Sequence, residues 1–258
     1  KSHRAPLIIT PTIGEPFFRI GMDIVGPLKL SNDRNRFILT MIDHATRYPE
    51  ATAIPDMRAE TVSKAMCQFF CRVGIPSEIL TDQGSNFMSE VMKQVYQLLG
   101  VSHIKTSPYH PQTNSICERF NGTLKSMLRR LLADSEGKDW DTYLPYLCFA
   151  YRSSPHENIG FSPFELLYGH QVQGPLSMIY RQMLNIPEKE TSINTFVLDL
   201  ADKMNQVMEI KQQRDDASKE TSKKWYDRNS RTTTFDVDEE VLVFLPTSSD
   251  TIGMARAI

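Results

Sequence analysis

A chain of 258 residues, 40% hydrophobic and 23% charged, has the make-up of a globular protein with room for one sizeable domain and further elements. No apolar run approaches the roughly 20 residues of a membrane-spanning helix, and the start at Lys1 carries no signal-peptide pattern, so neither a membrane protein nor a secreted one is expected. The net charge of −2 does not advertise a nucleic-acid binder, yet between Val101 and Ala133 the bases Lys105, Arg119, Lys125, Arg129 and Arg130 face one acid, Glu118.

Residues 1–15, with Pro6 and Pro11 and no regular period, read as an extended lead-in. Three strands are predicted next: Phe18–Val25, stopped by Gly26-Pro27; Phe37–Ile42; and Glu50–Ile54, stopped by Pro55. Asn32-Asp33-Arg34-Asn35 has the composition of a hairpin turn. From Arg58 the period lengthens: Val62, Met66, Phe69 and Val73 recur at helical spacing, and Gly74 ends the run. A short strand, Glu78–Thr81, precedes a helix from Phe87 to Leu99 closed by Gly100. Another short strand, Ser102–Lys105, leads into the loop Thr106–Thr113 and a helix from about Asn114 to Ala133. Helices near Trp140–Tyr151 and Ser162–Tyr168 complete a mixed α/β domain. Beyond Gly174-Pro175, Phe196, Leu200, Met204, Val207 and Lys211 mark a long, mostly polar helix, marginal in isolation, which should pack on a partner or bridge domains. Glu240–Leu245 is a last strand, and the residues after it are too few to build a second domain. The layout expected is a lead-in (1–15), an α/β domain (16–172), a helical connector (173–232) and a β segment cut short (233–258). The absence of an initiator Met points to a piece of a longer polyprotein.

Cys67 and Cys71 lie four apart on a helix with no nearby His or further Cys to complete a zinc site. With Cys117 and Cys148 they read as buried free thiols, in keeping with a reducing compartment.

The strongest chemical signal is a set of acids. Asp23 lies inside an otherwise apolar strand, where an unpaired charge is expensive. Asp82 ends a strand, and Glu118 lies one turn into a helix, with 35 residues between them. Three carboxylates converging from separate elements form an oxygen-rich site suited to Mg²⁺ or Mn²⁺. Each acid also has a structural reading. Asp82-Gln83-Gly84 has the composition of a turn, Ser115-Ile116-Cys117-Glu118 matches a capping box, and Asp23 has the option of pairing with an arginine. By position alone, Asp43 competes with all three.

The surrounding motifs separate these readings. Gly21-Met22-Asp23-Ile24-Val25-Gly26-Pro27-Leu28 resembles the first-aspartate motif of Ty3/gypsy-type retrotransposon and retroviral integrases. Tyr48-Pro49-Glu50-Ala51 is similar to the family's next strands. Gly74-Ile75-Pro76 with Leu80-Thr81-Asp82-Gln83-Gly84-Ser85-Asn86-Phe87 is similar to its second-aspartate motif. His110-Pro111-Gln112-Thr113-Asn114 with Glu118-Arg119-Phe120-Asn121 resembles the block holding its glutamate, and the 35-residue interval matches its D,D-35-E arrangement. The sequence departs from the family at Phe17-Phe18, where a Trp is usual, at Ser115, usually Gly, at Ile116 and Cys117, where more polar residues are common, and at Gly122, often Arg or Lys.

The resemblance implies an RNase H-like fold, a mixed five-stranded sheet flanked by helices, followed by the helical connector and the start of an SH3-like domain. A zinc-binding His/Cys domain would precede Lys1. It implies a polynucleotidyl transferase and endonuclease that trims the 3′ ends of an element's DNA and joins them to target DNA. Two metal ions would be held by Asp23, Asp82 and Glu118, with Asp23 bridging both. DNA and further copies of the chain are the expected partners, and the nucleus, reached through the cytoplasm, the expected compartment.

On the Glu118 helix, Ile116, Phe120, Leu124, Met127 and Leu131 are expected to face the core, with positions 118, 122, 125 and 129 on the opposite face. Lys125 and Arg129 would then meet DNA phosphates beside the acids. Lys105, His110, Gln112 and Arg119 complete the expected DNA contacts, and Asn121 reads as a structural hydrogen-bonding residue. Two rivals remain: a domesticated, catalytically silent DNA-binding relative, and an RNase H-type nuclease acting on an RNA–DNA hybrid.

Overall fold

A computed structural model describes residues 12–105, 115–133, 136–157, 159–174, 193–228, 230, 242–246 and 252–256. Strands β1 (Arg19–Val25), β2 (Phe37–Asp43) and β3 (Pro49–Ile54) form an antiparallel meander. Strands β4 (Glu78–Thr81) and β5 (Ser102–Lys105) add to it in parallel, giving the order β3-β2-β1-β4-β5 with β1 at the centre.

The two-residue period of these strands sorts their side chains between two cores. Ile20 and Met22 of β1, with Leu39 and Met41 of β2, pack against α1 (Ala59–Val73) and α3 (Glu90–Leu99). Val25, with Ile38 and Ile42, packs on the other face against α4 (Ser115–Leu131) and α5 (Leu144–Ser153). A residue's parity on β1 therefore decides which helices it meets.

Several predicted elements are subdivided. The helix expected from Phe87 to Leu99 breaks at Ser89 into α2 (Ser85–Met88) and α3, because extended Ser89 caps α3, accepting from the Met92 N–H. The one expected at Trp140–Tyr151 begins as a 3₁₀ turn, Trp140–Tyr143, and becomes α-helical where Pro145, lacking an N–H, fits the first turn. Asn32-Asp33-Arg34-Asn35 lies in a longer loop between β1 and β2, tied to the 3₁₀ turn by Ser31 and Asn35 donating to Asp141. The capping box in this part of the chain is at α6 (Pro163–Tyr168), where Ser162 and Glu165 exchange side-chain and backbone bonds. Residue 114, which would cap α4, lies outside the described residues. All four cysteines are free, but only Cys117 and Cys148 are buried; Cys67 is half-buried and Cys71 exposed, because α1 turns that edge away from the sheet.

The chain divides into two compact units, one spanning Pro11–Ala217 and a second that includes Ser218–Ile258. The long helix α7 (Ile193–Asp227) docks its first part onto the core of the first unit. Leu200 and Met204 lie so close over Gly169 that a Cβ there would sit 2.6 Å from Leu200 Cδ1. One helical stretch on, Lys211 (fully buried) pairs with Asp215 at 2.9 Å, and Arg47 reaches Asp215 from the β2–β3 turn at 3.2 Å. In the second unit, β6 (Leu242–Pro246) pairs antiparallel with β7 (Ile252–Arg256), a strand that the sequence reading did not anticipate. Among the described residues no helix is long and apolar enough to cross a membrane.

Candidate active site

Asp23 sits on the central strand with the parity of Val25, so its side chain enters the face covered by α4. It is half-buried. Its Oδ1 accepts from the Ile24 N–H at 2.8 Å and its Oδ2 from Asn121 Nδ2 at 2.7 Å, while Thr40 Oγ1 donates to its carbonyl. Burial pushes its carboxyl above the ordinary value of 3.8; the Ile24 N–H opposes this, the nearby charge of Asp82 adds to it, and Lys125 and Asn121 pull it down.

Asp82 reaches the same face through sheet register. Strand β4 runs parallel to β1 with Leu80 opposite Gly21, and Asp82, two residues beyond Leu80, lies near enough to act on the charge of Asp23. Adjacent strands lie about 4.8 Å apart, which explains the electrostatic influence of one acid on the other. The turn reading of Asp82 is also realised, since its Oδ1 accepts from the Gly84 N–H at 3.0 Å. A Cβ on residue 84 would come within 2.9 Å of that oxygen, a contact the Asp82 side chain would have to shift to relieve. Beneath, Thr81 Oγ1 donates to the Asp82 carbonyl at 2.7 Å and lies 2.9 Å from His103 Nε2. With the hydroxyl proton so used, His103 donates from Nε2 as a neutral ring, a form favoured by its burial and by neighbouring Lys105.

Helix α4 brings the remaining groups. Its buried residues are Cys117, Phe120, Asn121, Leu124 and Leu128, whereas Ile116 and Met127 are half-buried and Leu131 is 46% exposed. The core stripe is thus rotated by about one residue from the expected one, because Asn121, though polar, is turned inward to Asp23. Glu118, Gly122, Lys125 and Arg129 are all exposed, on the flank of that stripe rather than opposite it. Glu118 lies one turn before Asn121 and Lys125 one turn after, so the helix carries an acid, an amide and a cation past Asp23 in that order. Cys117, fully buried, feels the charges of both Asp23 and Glu118; burial first and those charges second hold its thiol well above the ordinary range.

Asp43 is set apart from Asp23 by parity and distance. It pairs with Ile20, about 10 Å along β1 from Asp23 and on the other face. Fully buried, it accepts from the Phe17 N–H, the Thr46 N–H and the Thr46 hydroxyl, and so shapes the β2–β3 turn.

Lys105 ends β5 opposite Thr81, one residue from Asp82. Arg119 is not brought to the acids: its Nε donates to the Ser115 carbonyl, and its charge bears on Arg47, Tyr151 and His156 instead. His110 and Gln112 lie outside the described residues. Among the described residues no three His, Cys, Asp or Glu groups close into an ion-sized cluster; Asp23 and Asp82 are brought together, and Glu118 stands exposed at the start of α4. Sequence reasoning missed His103, whose only signal is alternation on a short edge strand, and saw Asn121 as structural without its partner.

Residues 15–111 match the integrase core domain family. Over this stretch the chain is similar to an integrase core domain. Over 165 residues, 64% of its length, it is 28% identical to the retrovirus-related Pol polyprotein from transposon 412 of Drosophila melanogaster, covering 13% of that protein. Over 147 residues, 57% of its length, it is 30% identical to gypsy retrotransposon integrase-like protein 1 of Mus musculus, covering 28% of that protein. The chain thus spans less than a third of either relative. In three dimensions it matches a chain of the simian T-cell lymphotropic virus intasome with a TM-score of 0.57 and 18% identity, over 74% of this chain and 64% of that one. The mixed five-stranded sheet flanked by helices is the RNase H-like fold of integrase cores.

Proposed function

We propose that this integrase core trims the 3′ ends of an element's DNA and joins them to target DNA, with Asp23, Asp82 and Glu118 as its catalytic acids. The observation that carries this is the convergence on Asp23: a second carboxylate arrives from β4, while Asn121 and Lys125 arrive from the helix that bears Glu118.

The donor set fits a hard divalent cation. Burial and the nearby charge of Asp82 disfavour the lone negative charge on Asp23, so a positive charge between the two acids is welcome. Asp23, Asp82 and Glu118 would hold Mg²⁺ or Mn²⁺, two ions in our reading. When bound, such ions activate the attacking oxygen and stabilise the leaving one. The chain's own residues position the rest. Asn121 fixes the Asp23 carboxylate and favours its ionised form, and Lys125 and Arg129 hold the DNA phosphates along one flank of α4. Because two DNA ends must be joined in concert, we expect copies of the chain to act together on DNA, in the nucleus.

Glu118→Gln provides the test. It keeps shape and hydrogen bonding but removes a charge, so strand transfer on an oligonucleotide substrate with Mg²⁺ should fall by about a hundredfold or more while DNA binding persists. Near wild-type transfer would overturn the assignment. Cleavage of an RNA–DNA hybrid without action on a DNA end would favour a ribonuclease. DNA binding with no transfer by the unsubstituted chain would favour a silent DNA-binding relative.

A further inference from the structure

Between β1 and α4 lies a hollow of about 520 Å³ whose apolar part the reading above leaves without a role. Its floor is apolar, made of Val25, Leu28, Leu128 and Leu132 with buried Trp140. Its rim carries three exposed cations, Lys29, Lys125 and Arg129. Trp140 is fixed there by its Nε1 donating to the Lys29 carbonyl at 2.7 Å, and Lys29 Nζ itself reaches across to the Glu136 carbonyl. The hollow shares β1 and α4 with the acid site. Val25 follows Asp23 by one strand repeat, and Lys125 both lines the hollow and acts electrostatically on Asp23.

An apolar floor beneath a cationic rim calls for a flat, weakly polar body attached to an anion. Its volume is on the scale of a small-molecule site. We propose that the hollow receives the base of an unpaired nucleotide next to the DNA phosphate held at Asp23, with that nucleotide's own phosphate on Lys125 and Arg129. A base has two apolar faces and must leave its stack to enter, so the site would favour DNA with an unpaired nucleotide at its end over blunt duplex. The shared Lys125 is what favours DNA over an acidic peptide, which would satisfy the same chemistry without a link to the acids. The inference rests on the DNA-joining reading above.

The test uses the whole 258-residue chain carrying Trp225→Phe, which leaves Trp140 as the single tryptophan and a reporter inside the hollow. Three DNA duplexes are compared: blunt, with one unpaired terminal nucleotide, and with the same nucleotide lacking its base. The unpaired base should strengthen binding by about tenfold over the other two and alter Trp140 emission. Ala133→Trp, which fills the hollow from its edge, should abolish that preference while leaving blunt-duplex binding unchanged. Equal binding of all three duplexes, or a preference that survives Ala133→Trp, overturns the proposal while the DNA-joining reading stands. Quenching of Trp140 by an acidic aromatic peptide and by no DNA assigns the hollow to a protein partner and overturns it likewise. Failure to bind any DNA would count against the DNA-joining reading itself.

Discussion

Asn121 is the residue on which the local chemistry turns. It is 4% exposed, projects from a helix otherwise packed by apolar groups, and donates to the Asp23 carboxylate at 2.7 Å. That bond favours the ionised acid against the burial and the neighbouring Asp82 that raise it. Removing it in Asn121→Ala should let Asp23 take up a proton at higher pH. The acidic limb of the strand-transfer profile should therefore move to higher pH, and activity at neutral pH should fall about 10- to 100-fold. A pH–rate series on both proteins checks this, and an unshifted acidic limb would show that Asn121 does not tune Asp23. Its structural role was legible beforehand but its partner was not, because Asp23 lies 98 residues away along the chain, and its inward aim displaced the inferred core stripe by one position.

At the scale of elements, α7 is held to the core partly by charge taken out of water. Lys211 and Arg47 share one carboxylate, Asp215, and Thr12 Oγ1 donates to Asp216 close by. Such a cluster tolerates the loss of Asp215 badly, since two buried cations would then lose the carboxylate that both contact. Asp215→Ala should accordingly destabilise the Pro11–Ala217 unit by about 3–5 kcal/mol, read as a lowered midpoint in urea unfolding, with the slope unchanged. A loss below about 1 kcal/mol would mean that water reaches these groups. The periodicity at Leu200, Met204, Val207 and Lys211 foretold that one face of α7 would be covered. It did not reveal that the cover is the core of the same chain, or that a lysine would be the most buried member of that face.

For the molecule as a whole, a net charge of −2 means that attraction to DNA must come from local cations rather than from the total. Lys125 and Arg129 stand exposed one helical turn apart on the flank of α4 that passes Asp23, and Lys105 ends the strand next to Asp82. DNA affinity should therefore fall steeply with salt. Replacing Lys125 and Arg129 together by Ala should flatten the log–log salt dependence by about 2, one phosphate contact for each cation. An unchanged slope in a titration from low to high salt would place the DNA path elsewhere on the surface.

From the sequence alone came most of the order of strands and helices, the resemblance to integrases and the candidate acids, because alternation, helical spacing, turn residues and motif blocks are all local. Asp23, Asp82 and Glu118 were named from such blocks. Asp43 was kept as a competitor for the same reason, since a strand-end acid looks alike on either face of a sheet. The fold sets them at different places in the sheet. Asp82, just past the end of β4, lies near enough to act on the charge of Asp23, whereas pairing register sends Asp43 to the other face and farther along the sheet. Likewise the inward turn of Asn121, the His103 support beneath Asp82 and the apolar hollow under Lys125 depend on which elements come to lie side by side. Those neighbours are far apart along the chain, and burial and charge act through space, so no local pattern could state them.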